Sequence, residues 1–248
     1  MARTSRVRRP NAELAAGAGD ARAARLDEIL AAATRVFCAK SYRRAQMADV
    51  ATEMGVSPGT LYNYVEGKEA LFHLLIERGF GRGAAAPPQA TFPVPAPSPG
   101  ATLELLERRL RDEFSMPKLE AALARRRPTD PRAELAGVVR ELYDAIAEKR
   151  EGIVLLERSA LDWPEVAALF YLGVRRDLLG RLERFLVRRM EQGLLRRVPD
   201  AAAAARFVNE TIAWFAMHRH GDRDSRDISD AAAEETVVDL LVAAFARE

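Results

Sequence analysis

The sequence has a single cysteine, Cys38, and no apolar stretch that approaches the roughly 20 residues needed to cross a bilayer. One cysteine cannot form an internal disulfide, so we expect a reducing, cytoplasmic environment. The N-terminal sequence MARTSRVRRP is basic but is not followed by an apolar core, and we do not interpret it as a secretory signal. With 48% hydrophobic and 30% charged residues, the composition is that of a globular protein.

Residues that carry metal or covalent chemistry are also scarce. His218 and His220 are two positions apart and would diverge on a helix. The acidic run in residues 222–230 lacks the central glycine and terminal glutamate of a calcium loop, and no glycine-rich phosphate loop occurs. Cys38 is better suited to core packing than to nucleophilic attack. We therefore expect no catalytic residues, no metal and no cofactor.

Helical periodicity is present along most of the chain. From Arg22 onward, apolar residues recur with the spacing of one helix face, as in Leu26, Ile29 and Leu30. No segment shows the sustained alternation of a strand. Further helices are predicted over residues 101–114, 118–126, 132–149, 151–161, 164–192, 201–219 and 230–246, where proline and glycine supply the breaks. The predicted fold class is therefore all-α.

Composition divides the chain into four parts. Residues 1–21 mix Arg, Ala, Gly and Pro without periodicity and are interpreted as a flexible basic arm. Residues 22–82 form a small helical domain, residues 83–100 a Pro/Ala-rich linker or loop, and residues 101–248 a larger helical domain. Net charge is +3 over residues 1–80 and −1 over the rest, a modest bias toward a polyanionic partner at the N-terminal end.

The segment from Met47 to Leu71 reads as two short helices joined by a tight turn at Gly55. Ser57 followed by Pro58 is a strong start signal for the second helix. This is the pattern of a helix-turn-helix, which presents its second helix to the major groove of DNA. Short helix pairs with glycine turns also occur in ordinary bundles, so the spacing alone leaves DNA binding open.

The second helix needs one buried side and one reading side. We expect Leu61 to pack inward. The residues expected to face DNA bases are Pro58, Gly59, Thr60, Tyr62 and Asn63, of which Thr60 and Asn63 are the best candidates for hydrogen bonds to base edges. Tyr62 and Tyr64 offer hydroxyls and Lys68 offers charge to phosphates.

Residues 26–76 resemble the N-terminal domain of TetR-family (tetracycline-repressor-type) regulators. The motifs that carry the resemblance are Ile29-Leu30-Ala31-Ala32-Ala33, Phe37, Ser41-Tyr42, Met47-Ala48-Asp49-Val50-Ala51, the run GVSPGTLYNY at 55–64, and Lys68-Glu69-Ala70-Leu71. The resemblance implies that residues 58–64 read bases and that Tyr64 and Lys68 bind phosphates. It also implies a homodimer, a double-stranded DNA operator and a small-molecule effector.

Four positions depart from the family's usual residues. Ala45 stands where a threonine often caps helix two and touches a phosphate, so Gln46 is expected to substitute as cap and DNA contact. Ser41 replaces a frequent glycine, Val65 a frequent phenylalanine, and Gly67 a frequent serine or asparagine. Ala45 itself can neither cap helix two nor contact a phosphate there.

The basic arm is a further candidate for DNA contact. Arg3, Arg6, Arg8 and Arg9 precede helix one and have the composition of arms that enter the minor groove or follow the phosphate backbone. A solvated tail is the alternative interpretation.

In the larger domain, the last two helices are predicted to form the dimer seam. The terminal helix is apolar around much of its circumference, which requires two packing partners. The resemblance implies that the second partner is a sister subunit. The predicted seam residues are Phe207, Thr211, Val237, Leu240, Leu241 and Phe245.

An effector pocket is harder to locate from sequence. The candidate lining residues are Tyr143, Trp163, Phe170, Tyr171, Trp214, Phe215 and His218, with Arg150, Glu157 and Arg158 as polar anchors. Such a lining would suit a mostly apolar ligand with one or two polar groups. Two hypotheses follow: a ligand-responsive DNA-binding regulator, more often a repressor, or a helical enzyme or carrier in which the helix-turn-helix is only scaffold.

Overall fold

The computed structural model describes residues 11–81, 91–225 and 227–247. The N-terminal domain contains four helices, α1 (Asn11–Lys40), α2 (Met47–Met54), α3 (Pro58–Tyr62) and α4 (Lys68–Arg78). The short α2 and α3 pack against each other, and α1 packs on both α2 and α4. Phe37, Tyr42 and Phe72 meet in the middle, with ring centroids 4.6–6.0 Å apart.

The C-terminal domain is a bundle of the remaining helices. These are α5 (Ala101–Glu113), α6 (Pro117–Ala124), α7 (Pro131–Glu148), α8 (Arg150–Ala160), α9 (Pro164–Ala167), α10 (Arg176–Glu191), α11 (Ala201–Ala216) and α12 (Asp230–Phe245). A π-helical segment, Ala168–Arg175, joins α9 to α10, and a 3₁₀ turn, His218–Gly221, follows α11. The central packing is of α7, α10 and α12 around α11.

The all-α prediction is confirmed. Each helix predicted beyond residue 100 is found, and most boundaries agree within a residue or two. Among the described residues there is no sheet, only two isolated bridges, Val65 with Val94 and Leu195 with Ala246. No helix in the described ranges has the length and apolarity of a membrane span.

The predicted start of helix one at Arg22 is wrong, because α1 already begins at Asn11. Residues 11–21, assigned to the flexible arm, are therefore helical. They lack an apolar face but are rich in alanine, the residue with the highest intrinsic helix propensity. The helix propensity of these alanines therefore extends α1 through a segment in which the spacing of apolar residues did not predict a helix. Residues 1–10 lie outside the described residues.

The proline-rich segment is not a free linker where it can be described. Residues 82–90 lie outside the described residues, but Val94 is buried and its backbone bonds to the N-terminal domain on both sides: its N–H donates to Tyr64 O at 2.7 Å, and its carbonyl accepts from Glu66 N at 2.9 Å. Proline excludes a helix here, yet an extended backbone with a free N–H at Val94 can still pair.

Candidate nucleic-acid interface

The helix-turn-helix starts at Gln46, which is the N-cap of α2. Its backbone N–H donates to the Asp49 carboxylate at 2.9 Å, and Lys40 Nζ lies 2.7 Å from the same carboxylate group. These two contacts lower the pKa of Asp49, the hydrogen bond from Lys40 most. Gln46 therefore occupies the capping position, as expected, and Ala45, which stands where the family often has threonine, is fully buried. The reciprocal cap from Asp49 thus replaces the side-chain cap that threonine would supply.

The turn between α2 and α3 depends on Gly55. Its φ of 67° lies in the left-handed region, which costs other residues about 1 kcal/mol or more. The N–H of Val56 closes the turn by donating to Ala51 O at 3.0 Å. The turn ends α2 at Met54 and brings α3 into contact with α2, in agreement with the tight turn predicted at Gly55.

The recognition helix α3 buries one residue and exposes the rest. Leu61 is fully buried, as predicted. The exposed or partly exposed predicted reading residues are Pro58, Gly59, Thr60, Tyr62 and Asn63. A Cβ built on Gly59 would meet only Ser57 Oγ, at 3.9 Å, so nothing within the described protein requires a glycine there. The missing side chain leaves the backbone open to an approaching partner.

Tyr64 follows α3 and is half-buried. Its ring lies edge-on to Phe92 of the proline-rich segment, with centroids 5.8 Å apart. Val65, the smaller replacement for phenylalanine, is fully buried and forms a backbone bridge with Val94. Apolar side chains from the segment predicted to be a linker or loop therefore fill the space beneath α3.

Lys68 forms hydrogen bonds within the protein itself, which favour a structural role, and its predicted role as a phosphate ligand stays a prediction. Its Nζ donates to three backbone carbonyls, of Tyr42, Arg43 and Ala45, at 3.1–3.2 Å. It also lies 4.9 Å from the centroid of the Tyr42 ring. An ammonium group has three N–H donors, and three acceptors account for all of them. Lys68 therefore holds the loop between α1 and α2 to the start of α4.

Comparisons with known proteins agree with this geometry. Residues 29–75 match the family described as bacterial regulatory proteins, tetR family. An uncharacterized HTH-type transcriptional regulator, YfiR, of Bacillus subtilis (strain 168) is 26% identical over 209 residues, which cover 83% of this chain and 85% of YfiR. The matched residues include α2, α3 and most of α4, the elements that form the exposed reading surface. The chain is similar to TetR-family transcription regulators.

Solved structures of TetR-type proteins show the same fold. The ketosteroid transcriptional regulator KstR2 of Mycobacterium tuberculosis aligns over 90% of this chain and 96% of its own, with 16% identity and a TM-score of 0.56. The TetR family regulator PfmR from Thermus thermophilus aligns over 90% and 97%, with 22% identity and a TM-score of 0.51. The similarity spans both domains, so the all-α C-terminal domain is also that of the TetR fold.

The C-terminal domain contains a partly open cavity of about 60 Å³. Its lining is mostly apolar and comes from the loop between α5 and α6, from α7, α8, the π-helical segment and α10, and from α11 with the residue after it: Phe114, Met116, Leu142, Ala145, Ile146, Ile153, Phe170, Val174, Leu178, Ala213 and Met217. Phe114 and Val174 also line a surface cleft of about 470 Å³. The cavity is too narrow for most ligands unless its walls move.

Three polar residues stand at one part of the cavity wall, Glu157, Arg175 and Asn209. Arg175 Nη2 donates to Glu210 Oε1 at 2.5 Å, and Asn209 Nδ2 lies 3.3 Å from the same oxygen. Glu157 faces His218, with 3.9 Å between Oε2 and Nε2. Burial raises the pKa of the Glu157 carboxyl, although His218 and Arg175 oppose the shift.

The predicted pocket residues are mostly elsewhere. Of the seven, only Phe170 lines the cavity, together with the predicted anchor Glu157. Tyr143 is buried and donates to Phe215 O at 3.4 Å, while Phe215 packs partly buried against the core. Tyr171 and Trp214 pack edge-on to aromatic neighbours, Trp163 lies between the domains, and His218 is partly exposed. Arg150 pairs with Asp230 instead, and Arg158 lies near Cys38.

Sequence reasoning missed the cavity because it selected aromatic residues. The lining is mainly aliphatic and comes from inward faces of several helices, which read as ordinary core. One residue could have indicated the cavity from the sequence. Arg175 places a charge next to the apolar residues Phe170 and Val174 of the same helical segment.

The predicted seam residues fall into two groups. Val237, Leu241 and Phe245 are at most 3% exposed within their own chain, where they pack as core residues, and their place in a dimer seam stays a prediction. They pack inward because α12 lies against α7 and α11. Phe207 and Leu240 are 57% and 62% exposed, and Thr211 is partly exposed on the same side of α11.

The two domains meet at the loop after α1. Tyr42 stacks on Trp163 with ring centroids 4.9 Å apart, and Ser41 Oγ donates to Asp162. Ser41 adopts a φ of 71°, which lies in the left-handed region. The glycine that is frequent at this position in the family would adopt this φ without strain. The Asp162–Trp163 pair immediately precedes α9 and the π-helical segment, so the cavity wall and the DNA-reading domain are joined by a short run of chain.

Proposed function

We propose that the chain is a ligand-responsive repressor that binds a near-palindromic DNA operator as a homodimer. The observation that carries the proposal is the exposed face of α3, where Gly59, which has no side chain, precedes polar residues able to hydrogen-bond bases. Thr60 and Asn63 present a hydroxyl and an amide at this face. Such groups match base edges in the major groove, where an amide can bind adenine in a bidentate manner.

The experiment is selection of duplexes from a random DNA library by the full chain, followed by affinity measurement. Asn63→Ala should weaken binding to the selected duplex about tenfold or more and relax the preference at one base pair in each half-site. Glu104→Ala, at an exposed position on α5, is the matched control and should bind as the unmodified chain does. Equal affinity and equal base preference of Asn63→Ala would contradict base reading by α3.

Homodimer formation is supported by the exposed apolar side chains on α11 and α12. Phe207, Trp214 and Leu240 lie on adjacent helices and are 36–62% exposed, an arrangement that favours a four-helix contact between two copies. Leu240→Asp should convert the dimer to a monomer in light scattering. Leu172→Asp places the same charge at an equally exposed leucine outside these helices and should leave the mass unchanged.

A small, mostly apolar effector is supported by the C-terminal cavity and its three polar residues. The effector would favour a form in which the two reading helices are spaced wrongly for adjacent grooves, and DNA would favour the other form. A compound that raises the melting temperature of the chain should therefore weaken its binding to DNA. Ala213→Leu, which fills part of the cavity, should abolish the effect of the compound and retain DNA binding.

We propose repression because a dimer bound to an operator within a promoter would block RNA polymerase. The proteins of the matched family are regulators and not enzymes. We therefore assign this chain no catalytic role, and the alternative of an enzyme or carrier with a helix-turn-helix scaffold has no observation that favours it.

A further inference from the structure

The segment after α4 does more than connect the two domains. Residues 92–96, which we call the strap, leave the connecting region and return to the end of the recognition helix. Val94 of the strap is buried among the apolar residues of the N-terminal domain. The strap is therefore part of the DNA-reading domain in space, although it lies beyond α4 in sequence.

Three hydrogen bonds attach the strap to the residues that directly follow α3. The N–H of Val94 donates to Tyr64 O at 2.7 Å, and the N–H of Glu66 donates to Val94 O at 2.9 Å. The N–H of Ala96 donates to the Glu66 carboxylate at 2.8 Å. The N–H and the carbonyl of Val94 and the carboxylate of Glu66 thus form one short, continuous set of hydrogen bonds.

Aromatic packing adds a fourth contact. The ring of Phe92 lies between Tyr64, edge-on at 5.8 Å, and the guanidinium of Arg22, 5.4 Å from its centroid. Arg22 belongs to α1, so the strap joins the first helix to the end of the recognition helix. Edge-on ring pairs and cation–π contacts each add to the stabilisation that burial provides.

The recognition helix needs such support because it is short. α3 has five residues and a single buried side chain, Leu61. Helices of this length are unstable by themselves and take their orientation from tertiary contacts. The Gly55 turn fixes the N-terminal end of α3, and the strap fixes the chain after its C-terminal end.

We propose that the strap holds α3 in its DNA-reading orientation and so determines operator affinity. The proposal rests on the proposed DNA-binding function. If the strap is loosened, the reading orientation is populated for a smaller fraction of the time, and the apparent dissociation constant rises by the inverse of that fraction. The strap residues are positioning residues: they act through Tyr64 and Glu66 and need not touch DNA.

The test uses the full chain and the duplex that it selects from a random library. Phe92→Ala removes the ring contacts, and Glu66→Ala removes the acceptor for the Ala96 N–H. Glu66→Gln removes the same charge as Glu66→Ala but keeps a carbonyl acceptor, so it isolates the hydrogen bond from electrostatics. Thr91→Ala, at an exposed position beside the strap, is the control for substitution in this segment.

We expect Phe92→Ala and Glu66→Ala to bind the duplex about tenfold more weakly than their controls Thr91→Ala and Glu66→Gln. The dependence of affinity on salt should stay the same within each pair, because no phosphate contact is lost. In the DNA-free chain, the amide protons of Val94 and Glu66 should exchange faster in both variants, a change that loss of a direct DNA contact would not cause.

Unchanged affinity in both variants, or unchanged amide exchange, would overturn the role of the strap. If Phe92→Ala fails to fold, the comparison of Glu66→Ala with Glu66→Gln decides by itself. Failure of the unmodified chain to select any duplex would instead contradict the proposed DNA-binding function, so the two failures are distinguishable.

Discussion

At the scale of single residues, Lys68 illustrates how a charged group near DNA can act indirectly. Its ammonium group holds three carbonyls of the loop that leads into α2. Hydrogen bonds to a charged group stabilise a protein by about 1.5–3 kcal/mol. The loop also carries Ser41 and Tyr42, which contact the other domain. Lys68 thus links the entrance of the helix-turn-helix to the domain boundary.

Lys68→Met should lower both the melting temperature and the affinity for DNA, because it releases the loop carbonyls. The slope of log affinity against log salt should not change, since the ammonium does not neutralise a phosphate. Lys118→Met, in the other domain, controls for the loss of a positive charge. A slope reduced by about one with an unchanged melting temperature would identify Lys68 as a phosphate ligand instead.

Gly59→Ala separates folding from binding. The protein has room for the added methyl group, whose nearest neighbour would be Ser57 Oγ at 3.9 Å. Alanine also favours helix by up to about 1 kcal/mol over glycine. The melting temperature should therefore stay or rise, whereas DNA affinity should fall because the methyl separates the backbone from the bases. Gly180→Ala in α10 is the control, and it should stabilise the chain without any change in DNA affinity. Normal DNA binding by the Gly59→Ala chain would contradict a close approach of the α3 backbone to the bases.

The thiol of Cys38 should be unreactive in the folded chain. Its titration should also lower the free energy of unfolding at alkaline pH. Burial, with a smaller effect from the Glu151 carboxylate, raises the pKa of the thiol to about 12 from 9.0. Because the thiolate is the reactive form, a thiol reagent at pH 8 should modify the chain only after unfolding. Between pH 9 and pH 12 the folded chain binds more protons than the unfolded chain, so stability falls as pH rises.

Cys38→Ala removes this contribution. Its stability should decline less steeply than that of the unmodified chain between pH 9 and pH 10, as measured by denaturant unfolding. Equal slopes would show that the thiol has the same pKa in both states. Burial also raises the pKa of Tyr42 above its ordinary value of 10.0, so this phenol adds its own loss of stability as the pH rises past 10. Both chains contain Tyr42, so its effect cancels in the comparison.

At the scale of helices, a buried ion pair fixes α7 against α10. Arg189 is 1% exposed and donates to Glu134 from Nε at 2.6 Å and from Nη2 at 3.0 Å, with a further bond from Nη2 to Ala122 O at 2.7 Å. A buried carboxylate that loses its partner is left without compensation, at a cost of about 3–5 kcal/mol. The same pair replaced by apolar groups often costs little.

Arg189→Met should therefore lower the free energy of unfolding by about 3 kcal/mol or more. The double variant Arg189→Met with Glu134→Leu should recover most of this loss. Arg111→Ala breaks an exposed pair with Glu107 and should change stability by less than about 1 kcal/mol. If Arg189→Met proved as mild as Arg111→Ala in denaturant unfolding, the pair would not stabilise the contact between the two helices.

The helices were predictable because apolar spacing and proline or glycine breaks are local signals. Pro58 after Ser57, Gly55 in the left-handed turn and buried Leu61 all follow from rules that involve neighbours in sequence. The exposure of the other α3 residues was predictable for the same reason. The strap was not, since Val94 pairs with Tyr64 and Glu66 across an intervening helix, and a run of prolines by itself indicates only the absence of helix.

The cavity and the role of Lys68 were also beyond local signals. The cavity is lined from several helices, and its one aromatic candidate, Phe170, had no feature to distinguish it from Tyr171. The acceptors of Lys68 are backbone carbonyls more than 20 positions away, which carry no sequence signature at all. The π-helical segment likewise reads as continuous helix, because its composition is that of its neighbours.

At the scale of the whole molecule, two routes lead from the cavity to the reading helix. One runs through the π-helical segment and α9 to Trp163, which stacks on Tyr42. The other runs along α5 from Phe114 at the cavity to its first residue, Ala101, which follows the strap by a few residues. A ligand that displaces the cavity walls would thus shift both the loop held by Lys68 and the strap.

We expect two copies of α3 to read DNA together, and a footprint of the full chain on its selected duplex would show whether they do. Two protected major-groove segments should appear, related by two-fold symmetry and with centres about 34–36 Å apart, one helical turn, or a multiple of it. Asn63→Ala should weaken both segments equally. A single protected segment, or protection that does not depend on the duplex sequence, would contradict the account.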